Sequence, residues 1–179
     1  MLLALLGVMS AVLAQTVGSQ LSAEQRSAIQ LVISSDATSS GFFSRGPVIE
    51  KLIFKPGEPV HIGIVMTNTA DKSAWVCAFS DPYSQNRPQL TRDGEVVAYA
   101  ERIRELIRQS DGQPCDVIRT PDFVDLKPNV PLRVPSLELQ EWYGPVRPGH
   151  YVLSLKRTLA SCADGKWNST NAISFDVTR

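Results

Sequence analysis

The residues in short supply narrow the field first. Two His and three Cys in 179 residues leave little for a zinc site built from nitrogen and sulfur ligands. An excess of one charge is also missing, since 18 Lys and Arg stand against 18 Asp and Glu. Nucleic-acid-binding domains carry a basic surplus on one face, so a nucleic-acid partner is not expected. Neither GxGxxG nor GxxxxGK(S/T) occurs, and there is no Gly-x-Ser-x-Gly elbow or HExxH sequence. The familiar phosphate-cradling loops, serine-hydrolase turn and zinc-protease signature are therefore absent, and no cofactor or metal is expected. What is present is an ordinary globular composition, 43% hydrophobic with no net charge, which argues against disorder and suits one domain.

Long hydrophobic runs are limited to one. Leu2 to Leu13 (LLALLGVMSAVL) has the length of a signal-peptide core and is too short to cross a hydrocarbon layer of roughly 30 Å. Val12 and Ala14 take the −3 and −1 places of a small-residue cleavage site, although no Lys or Arg precedes the run. The expectation is a signal peptide over residues 1–14, then a flexible segment over 15–27 and a domain over 28–179. The mature chain would be secreted or periplasmic, with no stable membrane insertion after cleavage. Export permits disulfides, and Cys77, Cys115 and Cys162 allow three pairings. Cys77–Cys115 is the expected bridge, because the intervening hairpin and helix can return the chain beside its own strand. Cys162 would then be free or pair between chains.

The body reads as short strands separated by turn signals. Ser22 and Gln25 have capping-box spacing ahead of a β-rich run, Ile29 to Ile33. Val48 to Phe54 is strand-like and is closed by Lys55-Pro56-Gly57-Glu58-Pro59, a strong turn. In Val60 to Thr67, Val60, Ile62, Ile64 and Met66 alternate with the rest, the period of a half-buried strand. Ala74 to Phe79 is almost continuously apolar and reads as a central strand buried on both sides. Asp93-Gly94 marks a tight hairpin. Ala98 to Gln109 breaks the pattern: Tyr99, Ile103, Leu106 and Ile107 recur at helical spacing, and Asp111-Gly112 ends the run. Capping an open edge or end of the sheet is its expected task. Strands resume at Val117-Ile118, Leu132 to Leu139, Tyr151 to Leu159 and Ile173 to Val177. The total is about seven to nine strands with one helical insert near residues 98–109, the spacing of an all-β antiparallel sandwich.

Two stretches carry a resemblance. Phe54 to Asn68 (FKPGEPVHIGIVMTN) and Leu126 to Leu155 (LKPNVPLRVPSLELQEWYGPVRPGHYVLSL) resemble strands of bacterial exported immunoglobulin-like β-sandwich domains. Within the second, Tyr151 in Pro148-Gly149-His150-Tyr151 is similar to a tyrosine corner, whose hydroxyl bonds upstream backbone. Leu153 stands where an antibody-type domain has its second Cys, and the binding-loop motifs of chagasin-like protease inhibitors are not found. The resemblance implies a fold rather than an activity.

His61 and His150 fall on the outward phase of their strands, with no carboxylate at catalytic spacing in the sequence. The expected function is therefore a non-enzymatic binding module for a protein or glycan, acting through loops at one end of the sandwich. The loops at Asn68–Ser73, Leu126–Asn129 and Ala160–Thr170 are expected to gather there. Lys166 and Trp167 in the last of them are candidate contacts, as are Tyr83 and Arg87 in Ser80 to Arg92 (SDPYSQNRPQLTR). Trp142 and Tyr143 are assigned to packing. The alternative function is an inhibitor or pro-domain-like regulator of a secreted protease, presenting Ser80 to Arg92 as an extended loop.

Overall fold

A computed structural model describes residues 21–36, 51–112, 123–160 and 165–179. The chain begins with α1 (Ala23–Ser27), a turn of helix closed by the expected capping box. Ser22 Oγ accepts from the Gln25 N–H at 3.1 Å, and Gln25 Oε1 accepts from the Ser22 N–H at 3.0 Å, satisfying two donors that a helix start leaves open. The end of the segment expected to be flexible is thus a capped turn. Strands β1 (Ile29–Asp36), β2 (Ile53–Phe54) and β3 (His61–Asn68) follow. In β3 every second residue is buried, with Ile62, Ile64 and Met66 facing the core as the period-two pattern requires.

Next come β4 (Ala74–Cys77), a single turn α2 (Pro82–Gln85), β5 (Asn86–Arg92) and β6 (Glu95–Val96). Asp93 and Gly94 join β5 to β6 with φ of 52° and 88°, the two positive values that a two-residue hairpin turn demands and that this pair tolerates. Helix α3 (Glu101–Asp111) precedes β7 (Phe123–Leu126), β8 (Leu132–Glu138), the turn α4 (Leu139–Tyr143), β9 (Gly149–Arg157) and β10 (Asn168–Val177). Ten strands therefore lie among the described residues, one more than the upper expectation. The expected strand at Val117-Ile118 lies outside them.

Eight strands form one mixed sheet in the order β6-β5-β9-β10-β1-β3-β8, with β2 parallel to the far end of β10. The sheet has two halves joined along β1 and β10, which run parallel and share one register pair, Leu31 with Thr170. There β10 bulges between Ser169 and Ala172. The Asn171 amide bridges the gap, accepting from Ile33 N–H at 2.8 Å and donating to Ile33 C=O at 3.1 Å. Both halves turn apolar residues into one cluster. Ile33, Ile64 and Met66 come from one half, and Leu90, Leu153, Leu155 and Phe175 from the other. The architecture is β-sandwich-like, and burial of each large aliphatic side chain contributes about 1.5–3 kcal/mol.

The apolar run at Ala74 to Phe79 is placed differently from expectation. β4 pairs only with β7 in a separate two-stranded sheet, and Trp75 is 53% exposed. Ala74 and Val76 face the core, while Cys77 and Ala78 are buried because the chain dives against the end of β9, where Cys77 N–H donates to Leu159 C=O at 2.9 Å. An apolar run alone does not separate a doubly buried strand from a one-sided strand whose end is overlaid.

The residues leading into helix α3 close over the outer edge of β5, and the helix itself packs against α2. Pro88 sits in that strand without an N–H, and its carbonyl accepts both the Tyr99 and Tyr143 hydroxyls. Ile103 is buried in the core cluster. Trp142 lies at the centre of an aromatic group, its ring 5.4 Å from Tyr83 and 5.9 Å from Tyr99. Burial holds the Tyr99 and Tyr143 hydroxyls above the usual tyrosine range. Trp142 and Tyr143 thus pack as assigned. Among the described residues no helix is long and apolar enough to cross a membrane.

Candidate functional site

The structure brings three of the four expected contact residues, Tyr83, Arg87 and Trp167, together through Arg87, but it uses most of their chemistry internally. Ser80 to Arg92 is not an extended loop. It contains α2 and β5, Ser84, Gln85 and Asn86 are buried, and β5 pairs with β9 along its length. Asp81 starts the helical turn by accepting from Tyr83 N–H, with Pro82 at its first position. This local chemistry is in the sequence as Ser-Asp-Pro, but the polar composition conceals it.

From β5 the Arg87 guanidinium lies 4.9 Å from the Trp167 ring centroid, a cation–π contact. It also donates to the Tyr83 and Asn86 carbonyls and pairs with Asp111 at the end of α3. Trp167 is accordingly half-buried rather than displayed. Lys166 is exposed, and its carbonyl accepts from Arg26 at 3.2 Å. The Tyr83 hydroxyl donates to Glu141, and that bond with partial burial pushes its pKa up to about 12. Two of the expected loops are bonded to each other, and the described end of the third is bonded to α1. Asn68 donates to Leu126 C=O at 2.9 Å and accepts from Asn129 N–H at 2.7 Å, and Asn168 donates to Arg26 C=O at 2.9 Å.

Beside them lies a group that the sequence reading missed. Arg157 is 2% exposed and has no carboxylate partner among the described residues. Its guanidinium donates to Asn86 Oδ1 at 2.7 Å, Ala78 C=O at 2.7 Å and Gln85 Oε1 at 2.9 Å, leaving Nε unbonded. Burial lowers its pKa to about 10, and Cys77 acts weakly against that. A signal was available, because Tyr151, Leu153, Leu155 and Arg157 share one phase of a period-two strand. Cys77 itself is wholly buried. Its expected partner Cys115, like Cys162, lies outside the described residues, and no disulfide occurs among those described.

Both His do face carboxylates, supplied by strand register rather than by sequence proximity. His61 is opposite Glu138, and His150 is opposite Asp176 with Nδ1 2.8 Å from Oδ1. The His150 pair is half exposed, and among the described residues no three His, Cys, Asp or Glu gather as metal ligands.

At the opposite end of β5 and β9 is a cleft of about 400 Å³ between the β5–β6 hairpin and residues 143–147. Leu90, Val97, Val146 and Tyr143 supply its apolar wall, while Arg92, Arg147 and Glu95 supply charge. Two devices hold it open. The Tyr151 hydroxyl donates to Arg147 C=O at 2.7 Å and accepts Arg147 N–H at 3.0 Å, pinning the turn. Gly149 lets the Arg92 stem pass, since a Cβ there would stand 2.9 Å from Arg92 Cγ and from Asp93 Oδ2. Arg92 has Asp93 as a distant partner at 3.8 Å, and Arg147 has no ion pair among the described residues. The arrangement can bind an anion with an apolar body, and no nucleophile is paired with a base in it.

No protein-family model matches the chain, and no protein of curated function matches it either.

Proposed function

We propose that the chain is an immunoglobulin-like, non-enzymatic interaction module of the envelope or extracellular space. The strand order supports the immunoglobulin-like reading. β1 lies antiparallel to β3 and parallel to β10, β3 pairs with β8, and β10-β9-β5-β6 follow in antiparallel sequence. Tyr151 at the start of β9, with its hydroxyl returned to Arg147, is in keeping with a tyrosine corner.

The recognition surface in this reading is the cleft, not the Trp167 end. The observation that carries it is the combination of apolar wall, two arginines and rigid rim around about 400 Å³, within the small end of the range for ligand pockets. Trp167 and Arg87 spend their binding capacity on each other and on α3. A protease-regulating role would need a segment other than Ser80 to Arg92, because that segment is helix and paired strand.

The test is capture from a secreted and envelope fraction by the immobilised chain and by two variants. Arg147→Glu abolishes retention of the partner, and Trp167→Ala retains it. Loss with Trp167→Ala and retention with Arg147→Glu refutes the cleft and restores the loop end.

A further inference from the structure

We propose that the cleft recognises the free C-terminal carboxylate of an extended peptide whose last residue is apolar. This rests on the reading of the cleft as the recognition surface and adds the chemistry of its occupant.

The first support is the sheet edge. β6 is the outermost strand on its side. Arg92 and Glu95 flank the two-residue turn as a pair, and Val97 N–H donates to Leu90 C=O at 2.9 Å. In an antiparallel hairpin the residue between those two inward-bonding positions turns its N–H and C=O away from the partner strand. That residue is Val96, and its side chain is 83% exposed. One donor and one acceptor therefore stand at the edge beside the cleft, the backbone match for an added strand.

The second support is charge. The lining carries Arg92, Arg147 and Glu95, and Arg92 has Asp93 within 3.8 Å, so Arg147 is the charge left to meet one carboxylate rather than a polyanion. Arg147 forms no ion pair among the described residues, and the Tyr151 hydroxyl holds its backbone in place. An arginine fork suits carboxylate geometry. The third support is size. A cleft of about 400 Å³ walled by Leu90, Val97 and Val146 has room for one terminal apolar residue. Glu95 at its side disfavours an acidic residue next to the terminus by like-charge repulsion.

The test uses the full chain and a fluorescein-labelled pentapeptide, Gly-Ser-Thr-Val-Val, with a free C-terminus, beside its C-terminal amide twin. Fluorescence anisotropy shows saturable binding of the free acid and at least tenfold weaker binding of the amide. Arg147→Gln weakens the free acid about tenfold and leaves the amide unchanged. Val96→Pro, which removes the outward N–H, weakens both peptides. Thermal melts of each variant check that the fold is intact. Equal binding of acid and amide overturns the carboxylate inference while leaving the cleft reading standing. Octanoate competing as well as the peptide, with no response to Val96→Pro, overturns the peptide. Absence of binding by either peptide at millimolar concentration overturns the inference, and the capture experiment then judges the cleft reading on its own.

Discussion

Replacing Arg157 by Met removes a buried cation while keeping much of its volume. Three acceptors lose a donor: Asn86 Oδ1, Ala78 C=O and Gln85 Oε1. Gln85 Oε1 keeps the Ser80 N–H at 3.2 Å, so two acceptors are left orphaned in a buried site. Each orphan costs about 1–3 kcal/mol. Against that total of about 2–6 kcal/mol stands the relief of a desolvated guanidinium with an unbonded Nε, and replacing buried ionic groups by apolar ones is sometimes neutral. The acceptors win here, because the Asn86 and Gln85 amides are held by their own donations to Pro82, Cys77 and Ala160 carbonyls and cannot turn to water. A net loss of about 2–4 kcal/mol is expected for Arg157→Met, within the usual stability of about 5–15 kcal/mol for a domain. Urea unfolding followed by tryptophan fluorescence reads this as a lower midpoint at unchanged slope. Asn86→Ala in the Arg157→Met background should cost less than in the wild type. A variant within about 0.5 kcal/mol of wild type would refute the reasoning, showing that guanidinium desolvation outweighs the orphaned acceptors.

Four further outcomes follow from the geometry. Tyr151→Phe removes both bonds to Arg147 and lowers stability by about 1–2 kcal/mol, with amide shifts concentrated at residues 144–147 in NMR spectra. Gly149→Ala drives a Cβ against Arg92 and Asp93 and costs about 1–3 kcal/mol by overpacking, measured by denaturant midpoint. Arg87→Ala and Trp167→Ala show a coupling of about 1 kcal/mol in a double-mutant cycle, and Arg87→Ala raises hydrogen exchange at the end of α3. Glu58 accepts from Lys51 and from the Lys55 N–H, bonds that hold its carboxyl below the usual range. A lowered folded pKa gives stability that is present above the unfolded value and lost as pH falls through the folded one. The difference between wild type and Glu58→Gln is therefore constant above about pH 5 and shrinks in more acidic solution, read by melts across a pH series.

Much of the strand framework was legible because it rests on local rules. The alternation in Val60 to Thr67, the Asp93-Gly94 turn, the Ser22–Gln25 capping box and the helical spacing of Tyr99, Ile103 and Ile107 each name an element by short-range geometry. Even the Tyr151 hydroxyl bond was readable, since its partner lies four residues away. The candidate site was much less legible. Arg92 meets Arg147 across a cleft only because β5 pairs with β9. His61 finds Glu138, and His150 finds Asp176, through register, which sequence spacing does not encode. Ser80 to Arg92 misled for a different reason: its polar side chains look solvated, yet Gln85 and Asn86 are polar in order to satisfy buried Arg157. Trp167 was singled out for its polar neighbours in the chain, whereas its neighbour in space is Arg87.

The seam between β1 and β10 also sets an order of events as the chain emerges into the compartment where it folds. β10 lies inside the sheet, between β9 and β1, and also carries β2, yet it is the most C-terminal of the described strands. Leu31 waits for Thr170, and Ile33 waits for the Asn171 amide. A chain from which residues 168–177 have yet to emerge can form the β1–β3–β8 and β5–β9 ladders but cannot join them. The exposed edges of β1 and β9 are then open to mispairing, and closure of the sheet is delayed until Val177 has emerged.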